Sequence, residues 1–377
     1  MKIIHTSDLH LGKKIEGKSR LPEQAEVLDE LIGIVKEQKV DCVVIAGDVF
    51  DTVNPPADAE SLFYSKCLEI SRCCPVLAIA GNHDNPDRLS APVGIAGECG
   101  IVLCGNLDLA RQKAPFSGGE GFVRLVKKGE NVNFACLPYP SAARMSALGY
   151  AQKEDKKYCE YVKDWLNICA RGFTASDCNI TVSHLFMAGS VKASDEIELG
   201  TAAILPVDIL PSAHYTALGH IHKPQCVSKS KNVYYSGSIL SYSFDDTSEK
   251  FFNLLETSPA GVKVTKLPIA SGKKLITARV NSYDDCLKTL NDNIDAFVRI
   301  EYDCAEPLTS SKYAELRAYP SFCLLKNVYE PPKSERKAVK FDTDEEYFTA
   351  YYKATRKEEP SKELLELFGK AMRGEEL

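Results

Sequence analysis

The chain of 377 residues carries 46 Lys and Arg against 52 Asp and Glu, which gives a formal net charge of -6. With 44% hydrophobic and 26% charged residues, the composition is that of a globular protein and excludes a disordered or fibrous chain. At roughly 150 residues per domain, the length predicts two or three structural units. The mild acidity provides no overall attraction to a nucleic acid backbone, so any such contact has to be local.

The cysteines and apolar runs indicate the compartment. There are 14 cysteines and no Cys-x-x-Cys pair, and their scatter through strand-like and helix-like segments predicts reduced core residues. The first residues contain no apolar stretch of signal-peptide length, and no later run approaches the roughly 18 residues of a membrane span. We therefore expect a cytoplasmic protein.

The first part of the chain alternates strand-like and helical patterns. Apolar strand-like runs occur at residues 2–7, 42–46 and 76–80, and apolar residues recur at helical spacing over 22–38 and 58–71. This order predicts an α/β fold in which crossover helices cover a parallel sheet. Polar residues follow each strand directly, at the carboxyl ends where open α/β sheets form ligand sites.

Later segments add further strands and helices, and two more groups of secondary-structure patterns follow. A helix is predicted at 155–170 and strands at 179–183 and 215–218. From about residue 267 follow strands at 275–280, 297–302 and 322–328, with helices at 283–293 and 311–317. After Pro331 and Pro332, two helical patterns at 347–352 and 364–372 each carry one apolar face suited to docking. We predict domains at 1–270 and 271–330, followed by a linker and helical tail at 331–377.

The polar residues at the strand ends form a set of metal-ligating types. Five of the seven histidines fall within this set, and each motif follows an apolar run. Singly these motifs are common; together they supply the mixed oxygen and nitrogen ligands of a two-metal centre for phosphoester hydrolysis. The motifs are Asp8-x-His10, Gly47-Asp48, Gly81-Asn82-His83-Asp84, His184 and His220-x-His222.

In this order the motifs resemble those of the calcineurin-like metallophosphoesterases. The resemblance implies a four-layer α/β/β/α sandwich with two divalent metal ions that share Asp48. One ion would be held by Asp8, His10, Asp48 and His222, and the other by Asp48, Asn82, His184 and His220. Because only two of these ligands are carboxylates, the centre would keep a net positive charge that favours a phosphodiester anion.

Three neighbouring residues have roles outside the ligand set. We expect His83 to orient the phosphate or to protonate the leaving oxygen. Asp84 either fixes the tautomer of His83 or serves as a turn or helix N-cap residue before Asn85. Asp51 either supports the metal ligands or is an exposed loop carboxylate. The sequence leaves both pairs of alternatives open.

Longer strings resemble the SbcD family of bacterial nuclease subunits, which act with the SbcC ATPase. They extend in order over residues 1 to about 255: HTSDLHLGKK, IAGDVFDTVNPP, AGNHDNPDRL, TALGHIHKPQ and YYSGSILSYSF. The resemblance implies a nuclease dependent on manganese, with magnesium as the alternative, that cleaves double-stranded DNA ends exonucleolytically and hairpins endonucleolytically in recombination, replication and repair. It also implies a homodimer that forms a heterotetramer or larger assembly with its partner, a small α/β capping domain at 271–330, and a tail that binds an SbcC-type coiled-coil ATPase.

Two other functions fit the metal motifs. The first is a calcineurin-like phosphodiesterase acting on a small or protein phosphoester, because a metal centre reads the phosphate and not its substituents. The second is a non-catalytic scaffold for DNA ends, against which the complete ligand set argues. The chain has no Gly-x-x-x-x-Gly-Lys-Ser/Thr loop, so we expect any ATP use to belong to the partner.

Overall fold

The computed structural model describes residues 1–110, 112–127, 129–141, 144, 157–192, 204–330, 341 and 343–374. They form two units, Met1–Asn327 and Val328–Leu377. Among the described residues no helix combines the length and the apolar character that crossing a bilayer requires. The predicted boundary at residue 270 falls inside the first unit and stays a prediction. The Pro331–Pro332 break lies outside the described residues.

The first unit contains all the strands that the structure describes. In chain order they are β1 Lys2–Thr6, β2 Lys14–Ile15, β3 Lys18–Ser19, β4 Cys42–Ile45, β5 Val76–Ile79, β6 Ile101–Cys104, β7 Phe116–Gly119, β8 Phe122–Lys127, β9 Glu130–Leu137, β10 Cys178–His184, β11 Tyr215–Gly219, β12 Gln225–Ser228, β13 Val233–Tyr235, β14 Phe251–Ser258, β15 Gly261–Pro268, β16 Leu275–Val280, β17 Phe297–Tyr302 and β18 Phe322–Asn327. The α-helices of this unit whose bounds the structure describes are α1 Leu21–Gln38, α2 Ala57–Ser71, α3 Pro86–Ser90, α4 Val93–Glu98, α5 Tyr158–Cys169, α6 Tyr283–Asp292 and α7 Ser310–Arg317.

Two large sheets organise this unit. The first has the order β15-β14-β1-β4-β5-β6, and β1, β4, β5 and β6 are parallel, as the strand–helix alternation predicts. The second has the order β12-β13-β11-β10-β9-β8-β7, with β9, β10, β11 and β13 parallel. The antiparallel strands lie at the outer parts of both sheets.

Three apolar cores separate four layers. Leu31 of α1 and Phe63 of α2 are buried in a core shared with one face of the first sheet. A second core lies between the sheets, where Leu77 is buried with Phe134. A third core joins the far face of the second sheet to Trp165 of α5. The α/β/β/α sandwich expected from the sequence is therefore confirmed.

A smaller three-stranded parallel sheet, β16-β17-β18, follows in the chain and is flanked by α6 and α7. Val280, Leu290 and Ile300 form part of its own core. The helix α6 begins at Ser282, whose side chain accepts a hydrogen bond from Asp285 N. These elements lie where the sequence patterns predict them.

The described residues of the second unit form two helices, α8 Asp344–Arg356 and α9 Lys362–Arg373, which include both predicted helical patterns. The Phe348 and Phe368 rings stack with their centroids 4.2 Å apart. Tyr347 and Tyr351 of α8 remain 61% and 59% exposed. This pair of helices is therefore joined by a stack of two half-buried rings and leaves other aromatic residues at its surface.

Candidate metal centre

The backbone of the candidate ligands is unusual. Asp8, His10, Asp48 and His220 have φ angles of 52°, 44°, 48° and 103°, and they are half of the eight described non-glycine residues with positive φ. Such conformations cost on the order of 1–3 kcal/mol each and tend to cluster at functional sites. The backbone conformation of these loop tips therefore indicates a candidate functional site, independently of the residue types.

Glycines allow the loops to approach one another. A Cβ atom at Gly47, which has φ 93°, would lie 2.3 Å from His184 Nδ1. At Gly81 it would lie 2.0 Å from Asp48 Oδ1, and at Gly219 it would lie 2.0 Å from Ala46 O. Because no real Cβ makes contacts this short, a side chain at any of these positions would force the loops apart.

The first predicted ligand set lies at the carboxyl ends of β1, β4 and β11. His10 Nε2 is 3.0 Å from His222 Nε2 and 3.6 Å from Asp48 Oδ2. Asp8, His10 and His222 are buried, and each offers a ligand atom within 4.8 Å of the others. Four atoms of the kinds that bind divalent cations thus face one small volume.

The second predicted set lies beside the first. Asn82 Oδ1 is 2.9 Å from both His184 Nε2 and His220 Nδ1, and His184 Nε2 is 3.3 Å from Asp48 Oδ2. Asp48 Oδ2 therefore lies close to one imidazole of each set, as a bridging carboxylate must. The structure brings all seven predicted ligands together, and their donor chemistry fits a pair of divalent cations.

The charge state of the centre follows from burial and from the closeness of its groups. Burial raises the pKa of Asp48, but His184 and His10 outweigh burial and hold that pKa well below its ordinary value. Burial lowers the pKa of His184, yet Asp48 raises it to about 9. Burial and the neighbouring His184 lower the pKa of His220 to about 3. At neutral pH the metal-free site therefore holds an ionised Asp48, a neutral His220 and a protonated His184.

His83 lies at the edge of this centre. Its Nδ1 donates a hydrogen bond to the carbonyl oxygen of Asp51 over 2.7 Å, and its ring centroid is 4.8 Å from that of His10. A ligand atom of His83 also lies within 4.8 Å of one from His10 and one from Asp48. Because the carbonyl oxygen accepts from Nδ1, the proton of a neutral His83 lies on Nδ1, and Nε2 is the nitrogen that remains available for another partner.

Asp84 does not fix the His83 tautomer and is not the N-cap of α3, but it does stabilise the turn that contains it. Its carboxylate accepts hydrogen bonds from the backbone N–H groups of Gly81, Val49 and Phe50, so it does not hold the His83 tautomer. Asn85 is the N-cap of α3. Burial and the neighbouring Asp48 raise the pKa of Asp84 to about 6. Asp84 therefore joins the loop after β5 to the loop after β4.

Asp51 contacts one of the predicted metal ligands, His10. Its Oδ1 is 2.9 Å from Lys13 Nζ and 3.4 Å from His10 Nδ1, which directs His10 Nε2 toward the other ligands. Burial raises the pKa of Asp51, but the neighbouring His10 and Lys13 side chains outweigh burial and lower that pKa to about 2. Of the two alternatives left open by the sequence, this geometry favours support of a ligand.

Several contributing residues escaped the sequence analysis. Arg144 donates to the carbonyl oxygens of Gly81 and Asp84 over 3.0 and 2.6 Å. Gln24 of α1 donates to His10 O over 2.7 Å, and Tyr242 donates to Leu9 O. Their partners lie tens to hundreds of positions away, so local spacing holds no signal for them.

Comparisons with known proteins show which proteins this chain is similar to. The family model described as calcineurin-like phosphoesterase matches residues 1–224. A Bacillus subtilis (strain 168) protein named as the SbcD subunit of the nuclease SbcCD is 36% identical over 388 residues, covering 98% of this chain and 97% of that protein. A Staphylococcus saprophyticus protein of the same name is 28% identical over 293 residues, covering 76% and 74%. A solved structure, GAP50, the anchor in the inner membrane complex of Plasmodium, covers 72% of this chain and 86% of its own at 13% identity, with a TM-score of 0.45.

Proposed function

Since the chain belongs to the calcineurin-like phosphoesterases, and among them to the SbcD nuclease subunits, we propose that it cleaves DNA phosphodiester bonds at a two-metal centre. The enzyme is a metal-dependent phosphodiester hydrolase. One observation carries the proposal: Asp48 Oδ2 lies 3.6 Å from His10 Nε2 and 3.3 Å from His184 Nε2, between two sets of ligands.

In this proposal the two ligand sets are those expected from the sequence. Asp8, His10, Asp48 and His222 hold one ion, and Asp48, Asn82, His184 and His220 hold the other. Two divalent ions supply a hydroxide nucleophile and neutralise charge on the phosphoryl oxygens. Asn82 contributes a neutral oxygen, which leaves the centre cationic toward a phosphodiester anion.

His83 acts on the substrate side of the centre. While Nδ1 donates to Asp51 O, the imidazolium form of His83 carries a second proton on Nε2, which contacts the phosphate or passes to the departing oxygen. Asp51, which is paired with Lys13, holds His10 in its orientation, and Arg144 and Asp84 hold the loop that carries Asn82. In this proposal His83 contacts the substrate and transfers the proton. The other groups hold the predicted metal ligands in place.

DNA is proposed as the substrate because the SbcD relatives are named as nucleases. Double-stranded ends and hairpins are the substrates that the family resemblance implies. The net charge of -6 is unsuited to holding a long polyanion alone, which supports a partner that supplies DNA-binding surface. The relatives' name places them in a complex called SbcCD, so we propose an SbcC-type coiled-coil ATPase as that partner.

The remaining parts of the chain complete the proposal. Residues 271–330 form a capping domain over the substrate side, and the tail contacts the ATPase through exposed aromatics such as Tyr347 and Tyr351. Manganese is the proposed ion, because mixed imidazole and carboxylate ligands suit it and magnesium prefers oxygen alone. A homodimer in the cytoplasm is proposed, and the 14 unpaired cysteines support a reducing compartment.

The proposal is tested with a labelled DNA hairpin, MnCl2 and the purified full chain, with and without a chelator. We expect cleavage that the chelator abolishes. Asp48→Asn should lose both cleavage and tight manganese binding, because each ion loses a ligand. His83→Ala should keep both ions but lose about 10²- to 10⁴-fold in rate, the usual contribution of a general acid.

His214→Ala serves as the matched control, because His214 is half-buried and its ring contacts Asn179 N away from the centre. Its cleavage rate should equal that of the parent protein. Absence of metal-dependent cleavage, even with the ATPase partner added, would refute the nuclease proposal. Turnover of a small soluble phosphodiester with the hairpin left intact would instead establish the small-substrate phosphodiesterase.

A further inference from the structure

The carbonyl oxygen of His222 is enclosed by three neighbouring groups. It accepts hydrogen bonds from Ser238 N over 3.1 Å and from Lys250 Nζ over 3.0 Å. A Cβ atom at Gly237, which has φ 77°, would lie 2.6 Å from the same oxygen. Since a carbonyl oxygen has two lone pairs, both of its acceptor positions are filled. The peptide plane that carries His222 is therefore fixed.

Lys250 is the charged member of this arrangement. Its side chain is 8% exposed, and its ammonium group donates to His222 O, to Ser238 Oγ over 2.9 Å and to Asp246 Oδ2 over 2.7 Å. Three donor protons thus meet three acceptors, which is the full capacity of a lysine. The Asp246 side chain is 2% exposed and also accepts from Ser248 N and Ser248 Oγ. The Lys250–Asp246 ion pair is therefore buried, and Lys250 donates a hydrogen bond to the backbone of one predicted metal ligand, His222.

The other histidine of the same motif is held by different groups. His220 N donates to both carboxylate oxygens of Asp8 over 3.0 and 3.2 Å, and His220 Nδ1 lies 2.9 Å from Asn82 Oδ1. No hydrogen bond among the described residues joins Lys250 to these groups. The two halves of His220-x-His222 are therefore anchored separately.

We propose that Lys250 is a positioning residue for the metal ligand His222, acting through the His222 carbonyl oxygen and not by contact with substrate or metal. This inference rests on the proposed two-metal centre and deepens it. The imidazole of His222 faces His10 across 3.0 Å, so a small rotation of the His222 peptide moves the ring away from its partner. Groups that orient a ligand in this way typically account for about 10- to 100-fold of metal affinity.

The test compares Lys250→Met, Lys250→Arg and Lys263→Met with the parent chain. Methionine keeps much of the apolar stem and removes the ammonium group. Arginine keeps the charge, but its planar N–H groups match the three acceptors less well. Lys263 pairs with Glu256 at an exposed edge and contacts none of the predicted ligands, so its variant is the matched control.

The readout is calorimetric titration of the metal-free proteins with MnCl2, together with the electron paramagnetic resonance spectrum of the bound ions. The parent should bind two ions that are magnetically coupled. Lys250→Met should bind one ion normally and the other about 10- to 100-fold more weakly, leaving the six-line spectrum of an isolated ion. Lys250→Arg should lie between these two, and Lys263→Met should match the parent.

Folding is checked by thermal unfolding of each metal-free protein. If Lys250→Met does not fold because Asp246 is left buried without its partner, the double variant Asp246→Asn/Lys250→Met takes its place. A folded variant that binds two ions with parental affinity overturns the positioning role, as does equal weakening of both ions. A parent chain that binds fewer than two ions would instead count against the two-metal proposal itself.

Discussion

The close approach of two loops at Gly81 gives the sharpest test of how the centre is built. We predict that Gly81→Ala disrupts it although the substitution adds a single methyl group. That group would lie 2.0 Å from Asp48 Oδ1 and 2.2 Å from Asp48 N, whereas ordinary contacts begin at 3.4 Å. The carboxylate could rotate away, but the backbone nitrogen could not. The loops must therefore separate by about 1.2 Å, the difference between 3.4 and 2.2 Å.

The expected losses follow from this displacement. Inserting a methyl group into a packed site destabilises by about 1–3 kcal/mol, because neighbours must shift. A misplacement of about 1 Å costs roughly 100-fold in rate when it separates catalytic groups. Gly81→Ala should therefore unfold at a lower urea concentration, and it should cleave the hairpin about 100-fold more slowly. Urea unfolding of the metal-free protein and hairpin cleavage with MnCl2 measure the two effects.

Gly33→Ala is the matched control with the opposite expected sign. Gly33 is an exposed residue within α1, and a Cβ there has no heavy atom within 4 Å. The same substitution should raise the free energy of unfolding by about 0.5–1 kcal/mol, because alanine restricts the unfolded chain and favours helix. Equal stability and equal activity in Gly81→Ala and the parent would refute the account of the two loops.

Two further predictions concern pH and the tail. Because Asp48 raises the pKa of His184 to about 9, manganese must displace a proton from His184 below that pH. Affinity should rise from pH 7 to 8.5 with release of about one proton, measurable by calorimetry in buffers of different ionisation enthalpy; binding indifferent to pH would contradict this. Tyr351→Ala, at a side chain 59% exposed, should weaken binding to an SbcC-type coiled coil about tenfold or more, whereas Thr355→Ala should not. Fluorescence anisotropy measures this affinity, and equal binding by both variants would exclude Tyr351 from the interface.

The buried parallel strands could be predicted from the sequence because each is a short apolar run followed at once by polar residues. The predicted bounds of β1, β4, β5, β16 and β17 agree with the structure within one residue. No prediction covered β7 to β9, or β12 to β15. Strands such as β15 have alternating and largely exposed residues, so their apolar signal is weak. Their place in the sheets depends on pairing with distant strands, which no local pattern records.

The candidate ligands could be named because their residue types and their strand-end positions coincide. The groups behind them could not, since their partners are set by the fold. Asp84 illustrates this limit. Beside His83 and Asn85 it suggests a tautomer or capping role, but its acceptors are used by Gly81, Val49 and Phe50. Two of these hydrogen bonds come from Val49 and Phe50, which lie 35 and 34 residues earlier in the chain.

Hydrogen bonds between the loops explain how the left-handed backbone at the centre is tolerated. Asp8 N donates to Gly47 O, His10 N to Asp48 O and Leu11 N to Val49 O, over 3.0, 3.0 and 2.9 Å. These bonds continue the parallel pairing of β1 and β4 beyond the ends of both strands. Each loop therefore fixes the conformation of the other, and predicted ligands of both proposed metal sites share one backbone framework. Substitutions in the two loops should consequently be non-additive, because either one alone already disturbs the shared framework.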